Sequence, residues 1–579
     1  MPNMIQNAKD SISQILNAAY QKAAEKGELP AGAALSGTVE IPKDSANGDF
    51  AANHAMAGAK ALHMAPRKIA ETLIANADLA DTWFASVEVA GPGFINFRLA
   101  DRWYADVLQA VTREGADYGR SDIGHGQKVM VEFVSANPTG PMHMGNARGG
   151  VLGDALASVL DRAGYQVWRE FYVNDAGNQI EKFANSIDAR YQQLLLGEEQ
   201  VAFPEDGYHG DDIKDLAKLF YEANGDKYLT VPVAERHQAM AEFGLQRNIP
   251  KMQEDLRRYG IEYDQWFFES ELHESGYVAE SVQKLTDRGY TYEKDGALWL
   301  KTSQILAEQL LKAGKKQEEI DKLELKDDVL RRANGFYTYF AADIAYHRNK
   351  LEKRGFDKVI NVWGADHHGH VARLKGAMDA LGLDGEHRLD IVLMQLVKLT
   401  RNGEVVRMSK RTGKAISLTD LLDEIPVDAA RYFFNSRPES PVEFDLELAI
   451  RQDSENPVYY VQYAHARICT LLSALAAEGH TVPASADAAL LSTPEEKELI
   501  KQLAALPEEI RLAARDYDPS RINRYVTELA ARFHRFYTVC RIKGAESDVQ
   551  AARLLLADCV RRVIAVSLGI IGVTAPEKM

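Results

Sequence analysis

The pattern of apolar and polar residues divides the chain into four segments, of which the first differs from the rest. Residues 1–115 combine two amphipathic helical stretches, one near residues 4–26 and one after Pro66, with two short strands that flank a Gly-Pro-Gly turn. This pattern predicts an α+β unit. The residues of this segment suggest no catalytic cluster, which favours a packing or docking role.

The second segment begins with the pattern of a nucleotide-binding sheet. The stretch "KVMVEFV", from Lys128, is almost continuously apolar, as expected of a buried parallel strand. A loop follows it, then apolar residues at helical spacing between 151 and 160, a helix-ending Gly164, and the strand-like "YQVWREFYV". This order of strand, loop, helix and strand predicts a doubly wound, Rossmann-type parallel sheet.

A long interruption separates the two halves of this predicted sheet. Residues 175–325 contain helices and a hairpin with Asp295-Gly296 at its turn, so we interpret them as one insertion. The alternation returns with a helix near residues 339–350, the strand "KVINVW" and the apolar run "DIVLMQLVKLT", and the chain is almost wholly helical from the capping box at Ser417. We therefore expect an N-terminal domain at 1–115, a catalytic domain at 116–415, a connecting segment at 416–450 and an all-α domain at 451–579.

Composition excludes several classes of protein. The 579 residues are 46% hydrophobic and 26% charged, and the longest apolar run, 14 residues from Val563, is too short to span a bilayer. No secretory signal is visible, and three widely separated cysteines fit a reducing cytoplasm. The net charge of −16 disfavours general nucleic-acid affinity, but basic residues dominate 398–414 and 521–562, as in proteins that bind a polyanion at chosen places.

Three loops carry candidate chemistry, and the first follows the buried strand. In "NPTGPMHMGNARGG", a glycine just before a helix lets a base or phosphate approach the backbone, and the helix amino terminus attracts an anion. His143 can donate a hydrogen bond to phosphate oxygens. The position of His143 between a strand and a glycine-opened helix favours a ligand site over an ordinary surface histidine.

The other two loops lie in the second half of the predicted sheet. "RMSKRTGK" is basic and follows a tight hairpin, so Ser409 and Lys410 are candidates for a triphosphate, although an exposed basic loop has the same pattern. "WGADHHGH" follows a strand, where Asp366 can accept from ribose hydroxyls and Gly364 leaves room for the sugar. Its three histidines also suggest zinc, which the absence of a nearby cysteine disfavours.

Together the three loops resemble those of the class I aminoacyl-tRNA synthetases. Longer stretches narrow the resemblance to the arginyl-tRNA synthetases: "VEFVSANPTGPMHMGNARG", "RANGFYTYFAADIAYH", "WGADHHGH", "MSKRTG", "VDAARYFF", "NPVYYVQYAHAR" and the closing "LGIIGVTAPEKM". Members join arginine to the α-phosphate of ATP, release pyrophosphate and pass the arginyl group to a ribose hydroxyl of tRNA. The chain departs from the family pattern at Asn146, where a histidine is usual, and at Arg407, where a lysine is usual.

The resemblance implies site residues for both substrates. His143, Gly145, Asn146 and Lys410 match catalytic positions. The positions that match ATP contacts are Ala136, Asn137, Pro138, Thr139, Gly140, Pro141, Met142, His143, Met144, Gly145, Asn146, Gly364, Asp366, His368, Met408, Ser409 and Lys410. The positions that match arginine contacts are Glu132, Ser135, Asn137, Tyr339, Asp343 and His368.

The chemistry of arginine fits this second set. A guanidinium has five fixed donors and prefers carboxylates, and Tyr339 and Asp343, four residues apart, share one helix face. Without the resemblance, this pair would be interpreted as an ordinary hydrogen bond on a helix.

The resemblance also implies the partners of the protein. It assigns the helical tail, with its interleaved Arg, Tyr and Phe in "RINRYVTELAARFHRFYTVCRIK", to anticodon binding, and the N-terminal unit to the tRNA elbow. Part of that aromatic stripe is expected to be core. A monomer in the cytoplasm, Mg²⁺ accompanying ATP, no structural metal, and arginine activation that requires bound tRNA are further implications.

Other classes share part of the pattern. A nucleotidylyltransferase has a related histidine loop and a basic loop but does not need a long helical tail. A non-catalytic RNA-binding relative would keep the tail and lose His143 or Lys410, both of which are present. A cysteinyl-tRNA synthetase requires a zinc site that these three cysteines cannot supply.

Overall fold

A computed structural model describes residues 3–395, 397–406, 416–436 and 442–579. The N-terminal region forms a four-stranded antiparallel sheet, in the order β1-β2-β4-β3, packed against helices. Its elements are α1 (Met4–Glu25), β1 (Val39–Glu40), β2 (Phe50–Ala52), α2 (His54–Leu62), α3 (Pro66–Asn76), β3 (Phe84–Ala90), β4 (Phe94–Leu99) and α4 (Asp101–Glu114). The predicted α+β unit is therefore confirmed.

A five-stranded parallel sheet forms the centre of the molecule. Its strands are β5 (Lys128–Glu132), β6 (Gln166–Val173), β7 (Gln265–Phe268), β11 (Lys358–Gly364) and β12 (Leu389–Met394). They lie in the order β12-β11-β5-β6-β7, so the chain starts in the middle and winds outward in both directions. The doubly wound sheet is confirmed, and the point where the winding reverses lies between β5 and β11, where such sheets bind ligands.

The predicted single insertion at 175–325 is wrong, because β7 lies inside that range and forms one edge of the sheet. Two insertions flank it instead. The first contains α6 (Asn178–Leu196), α7 (Asp211–Asn224) and α8 (Val233–Arg258), and the second contains α9 (Glu269–Glu274), α10 (Tyr277–Asp287), β8 (Thr291–Lys294), β9 (Ala297–Leu300), α11 (Thr302–Lys312), α12 (Gln317–Asp321) and β10 (Asp328–Arg331). A four-residue strand is too short to give a clear periodic signal. The hairpin at Asp295-Gly296 is confirmed as β8–β9.

The apolar run "DIVLMQLVKLT" contributes strands to two different sheets. It divides into β12, in the central sheet, and β13 (Val397–Arg401), which pairs with β14 (Glu404–Val405) and β15 (Val442–Asp445) in a separate sheet. Two anchors accompany this division: β12 follows β11 in parallel register, and the Arg148 guanidinium donates to the Gln395 carbonyl oxygen between the two strands at 2.5 Å. The remaining helices around the sheet are α5 (Met144–Arg162), α13 (Tyr339–Arg348), α14 (His368–Ala380) and α15 (Gly385–Arg388).

The C-terminal part is a helical bundle that contacts both other domains. After the short helices α16 (Leu418–Glu424), α17 (Val427–Asn435) and α18 (Leu446–Ile450) come α19 (Pro457–Ala477), α20 (Pro494–Asp516), α21 (Ser520–Val539) and α22 (Ser547–Ile570). Helix α20 meets the N-terminal domain through Lys501–Asp49, at 2.5 Å, and Asn3–Glu508, at 3.0 Å. The exact domain limits stay a prediction. No helix within the described residues has the length and apolarity needed to span a membrane.

Candidate active site

The loop between β5 and α5 has a constrained backbone. Val134 and Ser135 both adopt positive φ, at 70° and 44°, which a β-branched residue such as valine adopts only when its surroundings force it. Helix α5 lies close to this strand end: a Cβ at Gly153 would come within 2.1 Å of the Phe133 ring. The small residues of α5 thus let it approach the strand and hold the loop in place.

His143 and Asn146 form the cap of α5. The His143 Nδ1 accepts from the Gly145 N–H at 3.0 Å, and the Asn146 Oδ1 accepts from the His143 N–H at 3.0 Å, which makes a capping box. Since Nδ1 is the acceptor, the neutral ring carries its proton on Nε2 and can donate it to a ligand. Partial desolvation lowers the pKa of His143, although the side chain stays open to solvent on one side. Asn146, where the family pattern has histidine, therefore holds the first turn of the helix.

The remaining residues of this loop divide into exposed and buried ones. Asn137, Pro141 and His143 are exposed, whereas Thr139 is 6% exposed and Met142 is 2% exposed, so these last two side chains support the loop. The Met142 carbonyl oxygen accepts from the Leu418 N–H at 2.8 Å, which joins this loop to the segment that follows the basic loop. The predicted residues Met408, Ser409 and Lys410 lie outside the described residues.

The third loop follows β11 and starts helix α14. Gly364 ends the strand, the backbone of Asp366 lies in a short 3₁₀ turn, and His368 is the exposed first residue of α14. His370, which the sequence suggested only as one of three histidines for zinc, donates through Nε2 to Asp343 Oδ2 at 2.9 Å. No group of three metal-ligating side chains in the described part of the chain is arranged to hold a metal ion.

The Tyr172 side chain is buried near the carboxyl end of β6, in a region that holds three carboxylates. Burial raises the pKa of Tyr172 well above its usual value, and the negative charges of Glu269, Asp343 and Glu132 raise it further. Glu269, the residue that follows β7, is 3% exposed. We call Glu132, Tyr172, Glu269 and Asp343 the acidic recess. It lies at the carboxyl edge of the sheet, next to the first and third loops.

Tyr339 borders this recess but does not hydrogen-bond to Asp343. It starts α13, is 41% exposed, and its hydroxyl lies near Gly177 at the start of α6. Burial of part of the ring and the charge of Glu269 raise the pKa of Tyr339. Tyr339 and Asp343, four residues apart on α13, thus have different neighbours: the Tyr339 hydroxyl lies near Gly177, and Asp343 accepts from His370.

Glu132 is the most enclosed of the predicted arginine contacts. It is 5% exposed, accepts from Lys350 Nζ at 2.5 Å, and accepts from Ser135 Oγ at 2.8 Å. The Ser135 oxygen also accepts from the Tyr172 N–H at 3.2 Å. Ser135 therefore uses its hydroxyl to position Glu132 and the end of β6.

Sequence reasoning missed Tyr172, Glu269 and Lys350, and it considered His370 only as a zinc candidate. The first two have a recognisable signal, since each ends or follows a strand on the carboxyl side of a parallel sheet. Once β7 was hidden inside a supposed insertion, Glu269 could not be assigned to that edge. Lys350 and His370 approach from α13 and α14, and their contacts depend on how these helices pack.

The "VDAARYFF" motif joins the helical bundle to α5. Arg431 is completely buried; its guanidinium donates to the carbonyl oxygens of Tyr259, Gly260 and Ile571 at 3.1–3.2 Å and to Asp154 Oδ2 at 2.5 Å. Asp154 belongs to α5, and Ile571 lies just after α22. One side chain thus connects the helix that begins at His143 with the carboxyl end of the chain.

The bundle carries a partly exposed aromatic cluster between α19 and α21. Tyr460 and Tyr463 pack against the His534 ring, with centroids 4.7 and 6.1 Å away, and the Arg467 guanidinium lies 4.4 Å from the centroid of Tyr537. Tyr463 is 40% exposed. In the predicted stripe, Tyr525, Phe533 and Phe536 are buried, so the expectation that part of it is core is confirmed.

Comparisons with known proteins cover the whole chain. Three family models match: the arginyl tRNA synthetase N terminal domain at residues 6–99, the catalytic domain of tRNA synthetases class I (R) at 107–442, and the DALR anticodon binding domain at 461–579. Arginine–tRNA ligases from Acetivibrio thermocellus and Caldanaerobacter subterraneus are 52% and 54% identical over 100% of both chains.

Solved structures agree with these relatives. An arginyl-tRNA synthetase structure from Campylobacter jejuni is 32% identical with a TM-score of 0.72, covering 83% of this chain and 100% of that one. The arginyl-tRNA synthetase of Thermus thermophilus shares the fold, with a TM-score of 0.72 at 21% identity over 97% of this chain and 99% of the other. The chain therefore belongs to the arginyl-tRNA synthetases, and its activity is the ligation of arginine to tRNA.

Proposed function

We propose that the acidic recess binds the substrate arginine and that the His143 loop binds ATP beside it. The observation that carries the proposal is the placement of three residues at the carboxyl edge of the sheet: Glu132 ends β5, Tyr172 lies near the end of β6, and Glu269 follows β7 on the next strand. The charges of Glu132, Glu269 and Asp343 all act on the Tyr172 hydroxyl and raise its pKa. A substrate with a guanidinium at one end and an ammonium at the other needs separate carboxylates for each.

The two ends of arginine have different candidate partners. Asp343 and Glu269 lie on the side of Tyr339, toward the first insertion, and are our candidates for the guanidinium. Glu132 lies at the end of β5, where the ATP loop begins, and is our candidate for the α-ammonium. This orientation brings the arginine carboxylate toward the α-phosphate of ATP.

ATP has its own set of candidate contacts. In the proposal, His143 Nε2–H and the amino terminus of α5 meet phosphate oxygens, and Gly364, Asp366 and His368 lie near the ribose and base. Lys410, Ser409 and Met408 belong to the basic loop, whose two flanks, β14 and Leu418, lie next to β13 and the ATP loop. We include Mg²⁺ only as the counter-ion of ATP, since Mg²⁺ commonly binds through phosphates and waters.

Binding of tRNA involves the bundle and the N-terminal domain in this proposal. The Tyr460, Tyr463, His534, Arg467 and Tyr537 cluster offers stacking faces and a cation for splayed bases. A requirement for tRNA during activation, a monomeric state and a cytoplasmic location complete the proposal. Arginine-dependent ATP–pyrophosphate exchange with and without tRNA tests the first of these, and equal rates would overturn it.

The arginine pocket is tested by Asp343→Asn. Losing one charge-assisted contact costs about 1.5–3 kcal/mol, so the arginine KM should rise roughly 10- to 100-fold while the ATP KM stays unchanged. Asp295→Asn, the same change at a hairpin turn whose left-handed backbone asparagine tolerates, is the matched control. Citrulline should be activated far more weakly than arginine, because it leaves buried acceptors unpaired. Wild-type arginine KM in Asp343→Asn, or equal use of citrulline, would refute this pocket.

A further inference from the structure

A row of polar side chains crosses the central sheet at one level. In the parallel register, Asn361 of β11 lies beside Glu132 of β5, Glu132 beside Glu170 of β6, and Glu170 beside Gln265 of β7. Residues in register on neighbouring parallel strands point to the same face. Two carboxylates on adjacent strands repel each other and are costly to bury without cations.

Two cations from one short segment neutralise the pair of carboxylates. Helix α13 continues into a π-helical turn, Asn349–Lys353, and such turns often occur at functional sites. Lys350, in this turn, is completely buried and reaches Glu132 at 2.5 Å and Asn361 Oδ1 at 3.3 Å. Arg354, just after the turn, donates to both oxygens of Glu170 at 2.9 and 2.5 Å.

The two carboxylates differ in how fully their oxygens are used. Glu170 accepts four hydrogen bonds, two from Arg354, one from the Tyr346 hydroxyl at 2.7 Å and one from the Trp168 indole at 3.2 Å. Among the described residues, Glu132 accepts only two, from Lys350 and Ser135. A carboxylate has about four acceptor positions, so Glu132 retains two for a ligand.

Lys350 is itself held in place by the row. Its ammonium lies 4.0 Å from the centroid of the Tyr346 ring. The Asn361 amide, which accepts from Lys350, donates to His347 Nε2 at 2.7 Å, and His347 Nδ1 donates to the Asp343 carbonyl oxygen at 2.8 Å. Burial and the charge of Lys350 lower the pKa of His347 well below its usual value, so this ring is neutral and its tautomer is fixed. The network thus runs from Asp343 to Glu132.

We propose that Lys350 is a positioning residue for arginine: it fixes the Glu132 carboxylate so that its two remaining acceptor positions meet the α-ammonium of the substrate. The inference rests on the proposed role of Glu132. Arg354, in contrast, acts on Glu170, whose oxygens have no acceptor position left, and so serves stability alone.

The test compares two variants that each remove one buried cation. Lys350→Met should raise the arginine KM in ATP–pyrophosphate exchange about 10- to 100-fold with the ATP KM unchanged, the range for loss of a hydrogen bond to a charged group. Arg354→Met, the matched control, should lower resistance to urea while its folded fraction keeps a wild-type arginine KM. A folded Lys350→Met variant with a wild-type arginine KM would overturn the inference.

A double variant distinguishes the role of Lys350 from the proposed role of Glu132. Glu132→Gln alone should raise the arginine KM; if it does not, the proposed role of Glu132 fails. If Lys350 acts through Glu132, then Lys350→Met added to Glu132→Gln should raise the arginine KM no further. The double variant has lost both buried charges and leaves no unpaired charge in the core. Its arginine KM can therefore be measured even if Lys350→Met alone does not fold. A further rise in the double variant would show that Lys350 does not act through Glu132.

Discussion

Helix α5 meets two opposite environments along its length. Its first turn, from His143 to Asn146, faces the solvent-open site, where the His143 Nε2–H is available to a ligand. Its third turn carries Asp154, which lies beneath the completely buried Arg431 and also accepts from Arg169 Nε at 3.2 Å. The first turn keeps hydrogen-bonding capacity for a substrate, while the middle uses its charge to join domains. Substitutions at the two places should therefore separate activity from stability.

The largest expected effect is the loss of stability in Arg431→Met. This change leaves Asp154 without its buried partner and removes donors from three carbonyl oxygens, which costs about 3–5 kcal/mol of unfolding free energy. Urea denaturation followed by circular dichroism measures it. Arg511→Met breaks the half-exposed pair with Glu508 and should cost less than about 1 kcal/mol. Equal losses in both variants would contradict the interpretation of Arg431 as an interdomain anchor.

At the other end of the comparison, His143→Ala and Lys410→Ala should slow activation. His143→Ala should lower the unfolding free energy by only about 1 kcal/mol, through loss of the α5 cap. Removing one donor to a developing phosphate charge costs about 3–4 kcal/mol in the activation barrier, or roughly 10²–10³ in kcat. Pyrophosphate exchange measures this effect, with His480→Ala, on the exposed surface of the bundle, as control. Near-normal exchange in both variants would remove these residues from the catalytic site.

The ionisation of His143 gives a smaller, pH-dependent effect. Because desolvation lowers the pKa of His143 below its usual 6.5, the neutral ring persists through pH 6.5 and gains a proton only as pH falls through the lowered value. Protonation removes the Nδ1 acceptor that holds the Gly145 N–H. Activation should therefore fall on an acid limb below pH 6.5, about tenfold per pH unit. A limb above pH 6.5, or one that persists in His143→Asn, would contradict this assignment.

The smallest expected effect is that of Asn146→Ala. It removes the acceptor for the His143 N–H, so the unfolding free energy should fall by about 1 kcal/mol. Asn146→Gln retains a side-chain acceptor of the kind common in capping boxes and should lose less. If both variants match the wild type in stability, the capping box contributes nothing to folding, and Asn146 must be explained by the substrate alone.

The fold was largely predictable from periodic patterns. Two strands, the one from Lys128 and "KVINVW", carry long apolar runs, and the glycine-opened helix carries apolar residues at helical spacing. All three elements are present in the predicted order. The single insertion was wrong because β7 is short, and one apolar run gave no sign that it served two sheets. Strand β7 has four residues, and the run from β12 to β13 gives no periodic signal at Gln395, where the Arg148 guanidinium binds the backbone.

The sequence by itself determined the loops that follow β5 and β11, the family, and the candidates His143, Asp343 and Glu132. Their chemistry is local, because motif residues sit close together along the chain. Only the tertiary structure placed Glu269 in the recess, through the strand order of the sheet. It also brought Lys350 to Glu132 and Arg431 to Asp154, pairs that are 218 and 277 positions apart. Such contacts depend on register and helix packing, which bring distant residues together.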